Sequence, residues 1–210
     1  MKGSKIMAKL YFKFGAMKCG KTTDIIKTYY NYKEKGMNVL IMKPGDDKKA
    51  GSKIQSRSGA ELDTNYVVNT DVNVYNLIAY HLINNNLDCI IVDEAQFLTS
   101  KQVDELSNVV DTFNIPVLCY GLRADAFTNL FPGSKRLFEV ADVMEELKAI
   151  CKCGSKATYN LRFNRIDGEL VPIFEGEQIS IDGIDAEYDS VCRPCYKKLR
   201  REYGKKEENK

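Results

Sequence analysis

Eight consecutive residues near the start of the chain have the types and spacing that bind a polyphosphate. They are Gly15, Ala16, Met17, Lys18, Cys19, Gly20, Lys21 and Thr22. Two glycines, a lysine and a hydroxyl residue at this spacing form a loop whose backbone N–H groups surround phosphate oxygens. Lys21 is expected to reach the β- and γ-phosphates, and the Thr22 hydroxyl to bind Mg²⁺. The run predicts a nucleoside triphosphate site, and a glycine-rich turn before a surface helix is the structural alternative.

A pair of carboxylates follows the most apolar run of the sequence. Asp93 and Glu94 come directly after Cys-Ile-Ile-Val at residues 89–92. Ligands of an open parallel sheet bind at the carboxyl ends of its strands, so both side chains are expected to face the same crevice as the phosphate loop. One carboxylate can associate with Mg²⁺, and the other can accept a proton from an attacking hydroxyl or orient a water. Solvated charges at the start of a helix are the alternative.

Four of the seven cysteines form two close pairs in the C-terminal third of the chain. They are Cys151, Cys153, Cys192 and Cys195. Four thiolates in two pairs fit a tetrahedral structural Zn²⁺ site, which stabilises a small lobe without catalysing a reaction. Unligated thiols are one alternative, and two disulfides are another that a cytosolic chain disfavours.

The segment between the cysteine pairs, residues 158–189, is interpreted as a long loop whose ends the metal holds together. Long loops in compact proteins are often lids. Backbone groups of such a lid can hydrogen-bond the edge of a base, and Tyr188 can stack on a heterocycle. Packing of Tyr188 on its own lobe is equally open.

The remaining pattern indicates the elements that position these residues. Apolar spacing predicts strands at residues 10–14, 38–42, 66–68, 89–93 and 116–121, and helices at residues 22–35, 74–83 and 100–112. Residues 48–62 are polar and read as a mobile loop or a loose hairpin, and an irregular loop is expected up to Gly133. The alternation predicts an α/β fold of the P-loop, RecA-like kind, with a parallel sheet and helices on both faces.

Near Ala149 the pattern changes to short strands, turns and the cysteine pairs, which predicts a zinc-ribbon-like lobe. The predicted domains are residues 9–149 for ATP binding and 150–203 for zinc binding. Residues 1–8 are interpreted as a leader or a tag-derived segment, and residues 204–210 as a charged tail.

Composition excludes several classes of protein. The formal charge of the 210 residues is +2, from 31 basic and 29 acidic side chains, which argues against nucleic acid as the main partner. No apolar run approaches the roughly 20 residues of a membrane span, and no signal peptide opens the chain, so a cytoplasmic protein is expected. Two rival classes remain, a nucleic-acid-stimulated P-loop ATPase and an ATP-sensing, zinc-stabilised binding module.

The combination of motifs resembles the type II thymidine kinases, the cytosolic, zinc-containing kind, and is closest to their enterobacterial branch. The resemblance covers residues 10–196 and rests on the phosphate loop, residues 93–97, residues 120–123 and the four cysteines. It implies transfer of the ATP γ-phosphate to the 5′-hydroxyl of thymidine, with deoxyuridine as a further candidate. It also implies a homotetramer that thymidine triphosphate inhibits.

The resemblance assigns roles to individual residues. Glu94 matches the catalytic base and Asp93 the Mg²⁺-associated acid, and Gln96 joins the nucleotide-binding set. Tyr188 matches the tyrosine that flanks thymine. The segment that binds the base through main-chain groups, the lasso, corresponds to Ile179, Ser180, Ile181, Asp182 and Gly183.

One departure concerns the aspartate-phenylalanine pair that follows the sheet strand in this family, whose phenylalanine stacks on thymine. Here the matching pair is Asp125-Ala126, and Phe127 stands one position later as the stacking candidate. The lasso also carries one extra residue within 182–185.

Overall fold

The computed structural model describes residues 7–45, 53–56, 59–176, 178 and 187–204. The chain divides into two compact units. The first, which we call the sheet unit, comprises Met1–Phe14, Lys21–Gly121 and Phe131–Glu146. The second, which we call the cysteine unit, comprises Gly15–Gly20, Leu122–Leu130 and Leu147–Lys210. The predicted domain limits, leader and tail stay predictions.

The main sheet has six strands, and two further strands form a small hairpin. The eight strands are β1 (Leu10–Gly15), β2 (Val39–Pro44), β3 (Lys53–Gln55), β4 (Glu61–Asp63), β5 (Tyr66–Val68), β6 (Cys89–Val92), β7 (Val117–Leu122) and β8 (Val143–Leu147). The order is β5-β2-β6-β7-β1-β8, and the pairs β2–β5, β2–β6 and β6–β7 run parallel. The helices are α1 (Lys21–Lys33), α2 (Val74–Asn84), α3 (Ser100–Phe113) and α4 (Pro132–Val140), with a 3-10 turn at Ala95–Phe97. The predicted α/β fold is confirmed.

Alternate residues of the strands face different helices. Phe12, Met42 and Val92 point into one core with α2, α3 and α4. Tyr120 points to the opposite face, where its hydroxyl donates to Asp24 of α1 at 2.9 Å. Because successive side chains of a strand point to opposite faces, the sheet is covered on both sides, as predicted.

Two elements of the sheet unit were not predicted. The irregular loop expected up to Gly133 is wrong at its end, because α4 begins at Pro132. Proline at the first helical position is a start signal that the apolar periodicity did not reveal. β8 carries two glutamates and is only partly buried, so its pattern lacks the apolar run of a central strand. Of the two expectations for residues 48–62, the hairpin is present as the antiparallel pair β3–β4.

The cysteine unit is built on a three-stranded antiparallel sheet. Its elements are β9 (Ala149–Ile150), β10 (Lys156–Ala157), β11 (Tyr159–Ile166), β12 (Glu169–Ile173), β13 (Glu187–Val191) and α5 (Arg193–Tyr203). The order β12-β11-β13 makes β11 the central strand. The long loop expected at residues 158–189 is therefore wrong over these three strands. The missed signal is Asp167-Gly168, both at positive φ (51° and 84°), the residue pair that favours a tight hairpin turn between β11 and β12.

Among the described residues, every helix is too short or too polar to span a lipid bilayer.

Candidate active site

The phosphate loop lies between a strand and a helix, as predicted. β1 ends at Gly15 and α1 begins at Lys21. The backbone turns through two positive φ angles, 64° at Lys18 and 85° at Gly20. A Cβ at Gly15 would collide with the Leu147 carbonyl, so only glycine fits at the end of β1.

The first residues of this loop pack within the cysteine unit. Ala16 is buried in the core of that unit. The backbone N–H of Met17 donates to Oδ1 of Asn160 at 2.7 Å, and Lys18 Nζ donates to Asp189 Oδ1 at 3.0 Å. The sequence motif placed the loop between a strand and a helix but gave no sign of these contacts.

Asp93 lies at the carboxyl end of β6, where it is 7% exposed. Its backbone N–H donates to the Met42 carbonyl at 2.9 Å, and its Oδ1 accepts the N–H of Glu94 at 2.9 Å. Burial and the Glu94 carboxylate raise the pKa of Asp93 above the usual aspartate range, while the Glu94 N–H, Lys21 and Lys43 act to lower it. A buried carboxylate next to a second one is a favourable place for a metal cation, whose charge compensates both.

Glu94 adopts the left-handed conformation, with φ 51° and ψ 35°. For a residue with a side chain this costs on the order of 1 kcal/mol or more, and such residues concentrate at functional sites. The fully buried Gln96 donates from Nε2 to Glu94 Oε2. A Cβ at Gly121 would lie 3.0 Å from Gln96 Oε1, so this glycine makes room for the amide. The Glu94 carboxylate is therefore held by its backbone and by Gln96, whose predicted nucleotide contact stays a prediction.

The sequence did not indicate a second cation, besides Lys21, at the carboxyl-end edge of the sheet beside Asp93. This cation is Lys43. β2 and β6 are parallel neighbours with Met42 opposite Val92, so Lys43, near the carboxyl end of β2, lies level with Asp93, which follows β6. The ammonium of Lys43 also donates to the Lys53 carbonyl of β3 at 3.2 Å. Its position at a strand end beside β6 is the signal that could have identified it.

The four paired cysteines form a cluster suited to a metal ion. The Sγ atoms of Cys151, Cys153, Cys192 and Cys195 all lie within 4.8 Å of one another. Zn–S bonds of about 2.3 Å in a tetrahedron place sulfurs about 3.8 Å apart. The Sγ atoms of Cys153 and Cys192 lie 3.5 Å apart, close to this spacing. The cluster thus fits a Zn²⁺ ion, and all four cysteines are free of disulfides.

The residues predicted to contact the nucleoside are brought together only in part. Tyr188 is half-buried in β13, directly opposite Arg162 of β11. The Arg162 guanidinium lies over the ring of Phe127, 5.4 Å from its centre. The backbone N–H of Phe127 donates to Asp125 Oδ1 at 2.8 Å. One face of Phe127 therefore carries a cation, and its stacking on thymine stays a prediction.

Ala126, at the position of the family's phenylalanine, is buried, and its carbonyl accepts the hydroxyl of Tyr196 at 2.9 Å. The lasso residues Ile179, Ser180, Ile181, Asp182 and Gly183 lie outside the described residues.

Comparison with known proteins identifies the family. The model of the family described as Thymidine kinase matches residues 8–196. The chain belongs to the thymidine kinase family. It is 47% identical to the thymidine kinase of Haemophilus influenzae over 192 residues, which cover 91% of this chain and 97% of the relative. It is 48% identical to that of Pasteurella multocida over 91% and 97% of the two chains, and 40% identical to that of Enterobacteria phage T4 over 94% and 100%.

Membership of the thymidine kinase family confirms the resemblance drawn from the motifs. The matched range contains the phosphate loop, Asp93-Glu94 and all four clustered cysteines. The individual roles assigned to these residues stay predictions, and the structure adds the geometry on which they can be tested.

Proposed function

We propose that this protein is an ATP:thymidine 5′-phosphotransferase, which transfers the γ-phosphate of ATP to thymidine and gives thymidine monophosphate for nucleotide salvage. The observation that carries the proposal is the Glu94 carboxylate, fixed by Gln96 beside the buried Asp93. Family membership supports thymidine as the substrate, and deoxyuridine is the second nucleoside proposed.

The donor half of the site is the phosphate loop with the edge of β6. The backbone N–H groups of Gly15 to Thr22 bind the phosphates, and Lys21 neutralises charge on the transferring group. Thr22 and Asp93 would hold Mg²⁺, which supplies positive charge to the phosphate oxygens. Burial and the Glu94 carboxylate raise the pKa of Asp93, so a cation bound beside both carboxylates would favour its ionised form.

In the acceptor half, Glu94 accepts the proton of the thymidine 5′-hydroxyl. The hydroxyl oxygen then forms a bond to the γ-phosphorus, the bond from that phosphorus to the β–γ bridging oxygen breaks, and ADP leaves. Tyr188 flanks the base, the lasso covers it, and together they exclude water, which would otherwise compete as acceptor. Lys43, whose charge acts on Asp93, is proposed to stabilise the negative charge that accumulates during transfer.

The four cysteines would hold a structural Zn²⁺, and their geometry supports this. The family resemblance also supports a cytoplasmic homotetramer that thymidine triphosphate inhibits.

The decisive experiment supplies γ-labelled ATP with thymidine, deoxyuridine, deoxycytidine or no nucleoside, and separates the labelled products. We expect label in the 5′-monophosphate of thymidine and, more weakly, of deoxyuridine. Glu94→Gln should lower kcat by about 10²- to 10⁴-fold, because the amide cannot accept the hydroxyl proton. Its affinity for MgATP, measured by calorimetry, should change only slightly.

Glu139→Gln is the matched control, because this glutamate lies on α4 with its side chain 45% exposed. It should retain full activity. Unchanged turnover in Glu94→Gln would remove Glu94 from the role of base. ATP hydrolysis that rises with added nucleic acid, without transfer to any nucleoside, would indicate the ATPase alternative.

A further inference from the structure

One buried polar side chain of the cysteine unit touches two of the loops described above. Asn160, in the central strand β11, is 5% exposed. Its Oδ1 accepts the backbone N–H of Met17 at 2.7 Å, and its Nδ2 donates to the Ala124 carbonyl at 2.7 Å. Both ends of the amide are therefore engaged, each by a backbone group of a different loop.

The two loops have different tasks in the proposed reaction. Met17 belongs to the phosphate loop, which binds the donor. Ala124 comes directly before Asp125, whose Oδ1 accepts the backbone N–H groups of both Phe127 and Asn129 at 2.8 Å. The segment 124–129, which we call the nucleoside loop, thus has a fixed conformation, and Asn160 ties its first residue to the phosphate loop.

A second contact supports the phosphate loop from the same sheet. Asp189 of β13 pairs in register with Leu161, next to Asn160, and its carboxylate binds the ammonium of Lys18 at 3.0 Å. Lys18 is one of the residues at positive φ, a conformation that persists only when neighbouring contacts maintain it. Two adjacent strands therefore hold two consecutive residues of the phosphate loop, one through its backbone and one through its side chain.

We propose that Asn160 is a positioning residue that fixes the phosphate loop relative to the nucleoside loop, so that donor and acceptor meet in line. The alignment of donor and acceptor rests on the proposed kinase function, whereas the fixed position of the phosphate loop does not. A buried amide with both groups bonded to backbone sets the spacing of two loops rigidly, because leaving either group unpaired in the interior is costly. Misplacement of reacting groups by about 1 Å can cost on the order of 100-fold in rate.

The test uses two substitutions of similar volume with different hydrogen-bonding capacity. Asn160→Leu removes both bonds, so we expect weaker binding of MgATP and a kcat lowered by roughly 10- to 100-fold. Asn160→Asp keeps an acceptor for Met17 but sets a carboxylate oxygen against the Ala124 carbonyl. It should keep the MgATP affinity of the wild type and lose kcat, and its kcat relative to wild type should recover as pH falls, because the protonated carboxyl can donate again.

Asn164→Leu is the matched control. Asn164 is the same residue type in the same strand and, four positions on, faces the same side of the sheet, about 13 Å further along. It should alter neither MgATP affinity nor kcat. The melting temperature and zinc content of each variant show whether the cysteine unit remains folded. If Asn160→Leu does not fold, Asn160→Asp alone tests the proposal.

The outcomes separate the inference from the proposed function. MgATP binding, measured by calorimetry without nucleoside, tests the hold on the phosphate loop whichever nucleoside is the acceptor. Absence of nucleoside phosphorylation in the wild type would overturn the proposed function, while a selective loss of MgATP affinity in Asn160→Leu would still support the hold. Equal MgATP affinity and kcat in wild type and both Asn160 variants would overturn the inference. An equal loss in the Asn164 variant would overturn it too, since that pattern denotes a general effect on the lobe.

Discussion

The sheet unit and the cysteine unit reach a stable fold by different means. In the sheet unit, nineteen of the described residues form one buried core, dominated by valine, leucine and isoleucine. In the cysteine unit, the corresponding core contains eight described residues, three of which are alanines and two of which are clustered cysteines. A core that small buries too little apolar surface to hold a lobe by itself, and small lobes of this kind depend on a metal or disulfides.

The difference matters because the first six residues of the phosphate loop, Gly15–Gly20, belong to the cysteine unit, while Lys21 and Thr22 belong to the sheet unit. Chain continuity joins Gly15–Gly20 to β1 and α1, but its contacts join it to the cysteine unit, whose core includes Ala16 and partly buried Cys19. The segment proposed to bind the donor phosphates therefore depends on packing within a unit that the proposed zinc ion would stabilise. The carboxylates Asp93 and Glu94, in contrast, lie between β6 and the 3-10 turn of the sheet unit.

Removal of zinc should therefore have the largest effect on both affinity and stability. Binding of structural Zn²⁺ contributes about 10–16 kcal/mol in isolated zinc fingers, so chelation should unfold much of the cysteine unit. If residues 9–149 were an independent ATP-binding domain, as the sequence predicts, ATP binding would survive chelation of zinc. Because Gly15–Gly20 of the phosphate loop are part of the cysteine unit, we expect MgATP affinity to fall at least about 10-fold together with thymidine affinity. Calorimetry before and after chelation measures both.

Re-addition of Zn²⁺, but not of Mg²⁺, should restore both affinities. Cys192→Ser should reproduce the loss, whereas Cys89→Ala, a thiol of β6 outside the cluster, should keep its zinc. MgATP binding that persists in the zinc-free protein would show that the phosphate loop is held by the sheet unit after all.

The sequence was informative where chemistry requires particular residue types at fixed spacing. The phosphate loop, Asp93-Glu94 and the four cysteines were identified on that basis. The sequence did not indicate the positive φ of Glu94, because a left-handed backbone leaves no local sequence pattern. It also did not indicate the roles of Lys43 and Asn160, because these depend on contacts between segments that are distant in the chain. Asn160 and Met17 are 143 positions apart. The strands β11 and β12 could have been predicted from Asp167-Gly168, and α4 from Pro132.

A smaller effect, confined to the sheet unit, is expected at Gly133. A Cβ there would meet the carbonyl oxygens of Ala95, Gln96 and Leu98. Gly133→Ala must move α4 away from the turn that carries Gln96, so it should destabilise the fold by about 1–3 kcal/mol. Because Gln96 holds Glu94, kcat should fall as well. Urea unfolding and steady-state kinetics measure the two effects.

Lys135→Ala, an exposed change in the same helical turn, should stay within about 0.5 kcal/mol of the wild type. Zinc content should remain unchanged in both variants. If Gly133→Ala lost its zinc, this would contradict the claim that the sheet unit and the cysteine unit are stabilised separately.

The smallest effect is expected from a buried hydroxyl on the α1 face of the sheet. Tyr120 is fully buried, and its hydroxyl donates to Asp24 at 2.9 Å and lies 3.2 Å from Thr28. Tyr120→Phe removes one donor but keeps the ring, and Asp24 retains the ammonium of Lys13 at 2.9 Å. Because the carboxylate is not left unpaired, the loss should be about 1 kcal/mol, measured by urea unfolding. The control is Tyr203→Phe, a change at an exposed tyrosine of α5. A loss above about 3 kcal/mol would mean that this polar contact, more than apolar burial, holds α1 to the sheet.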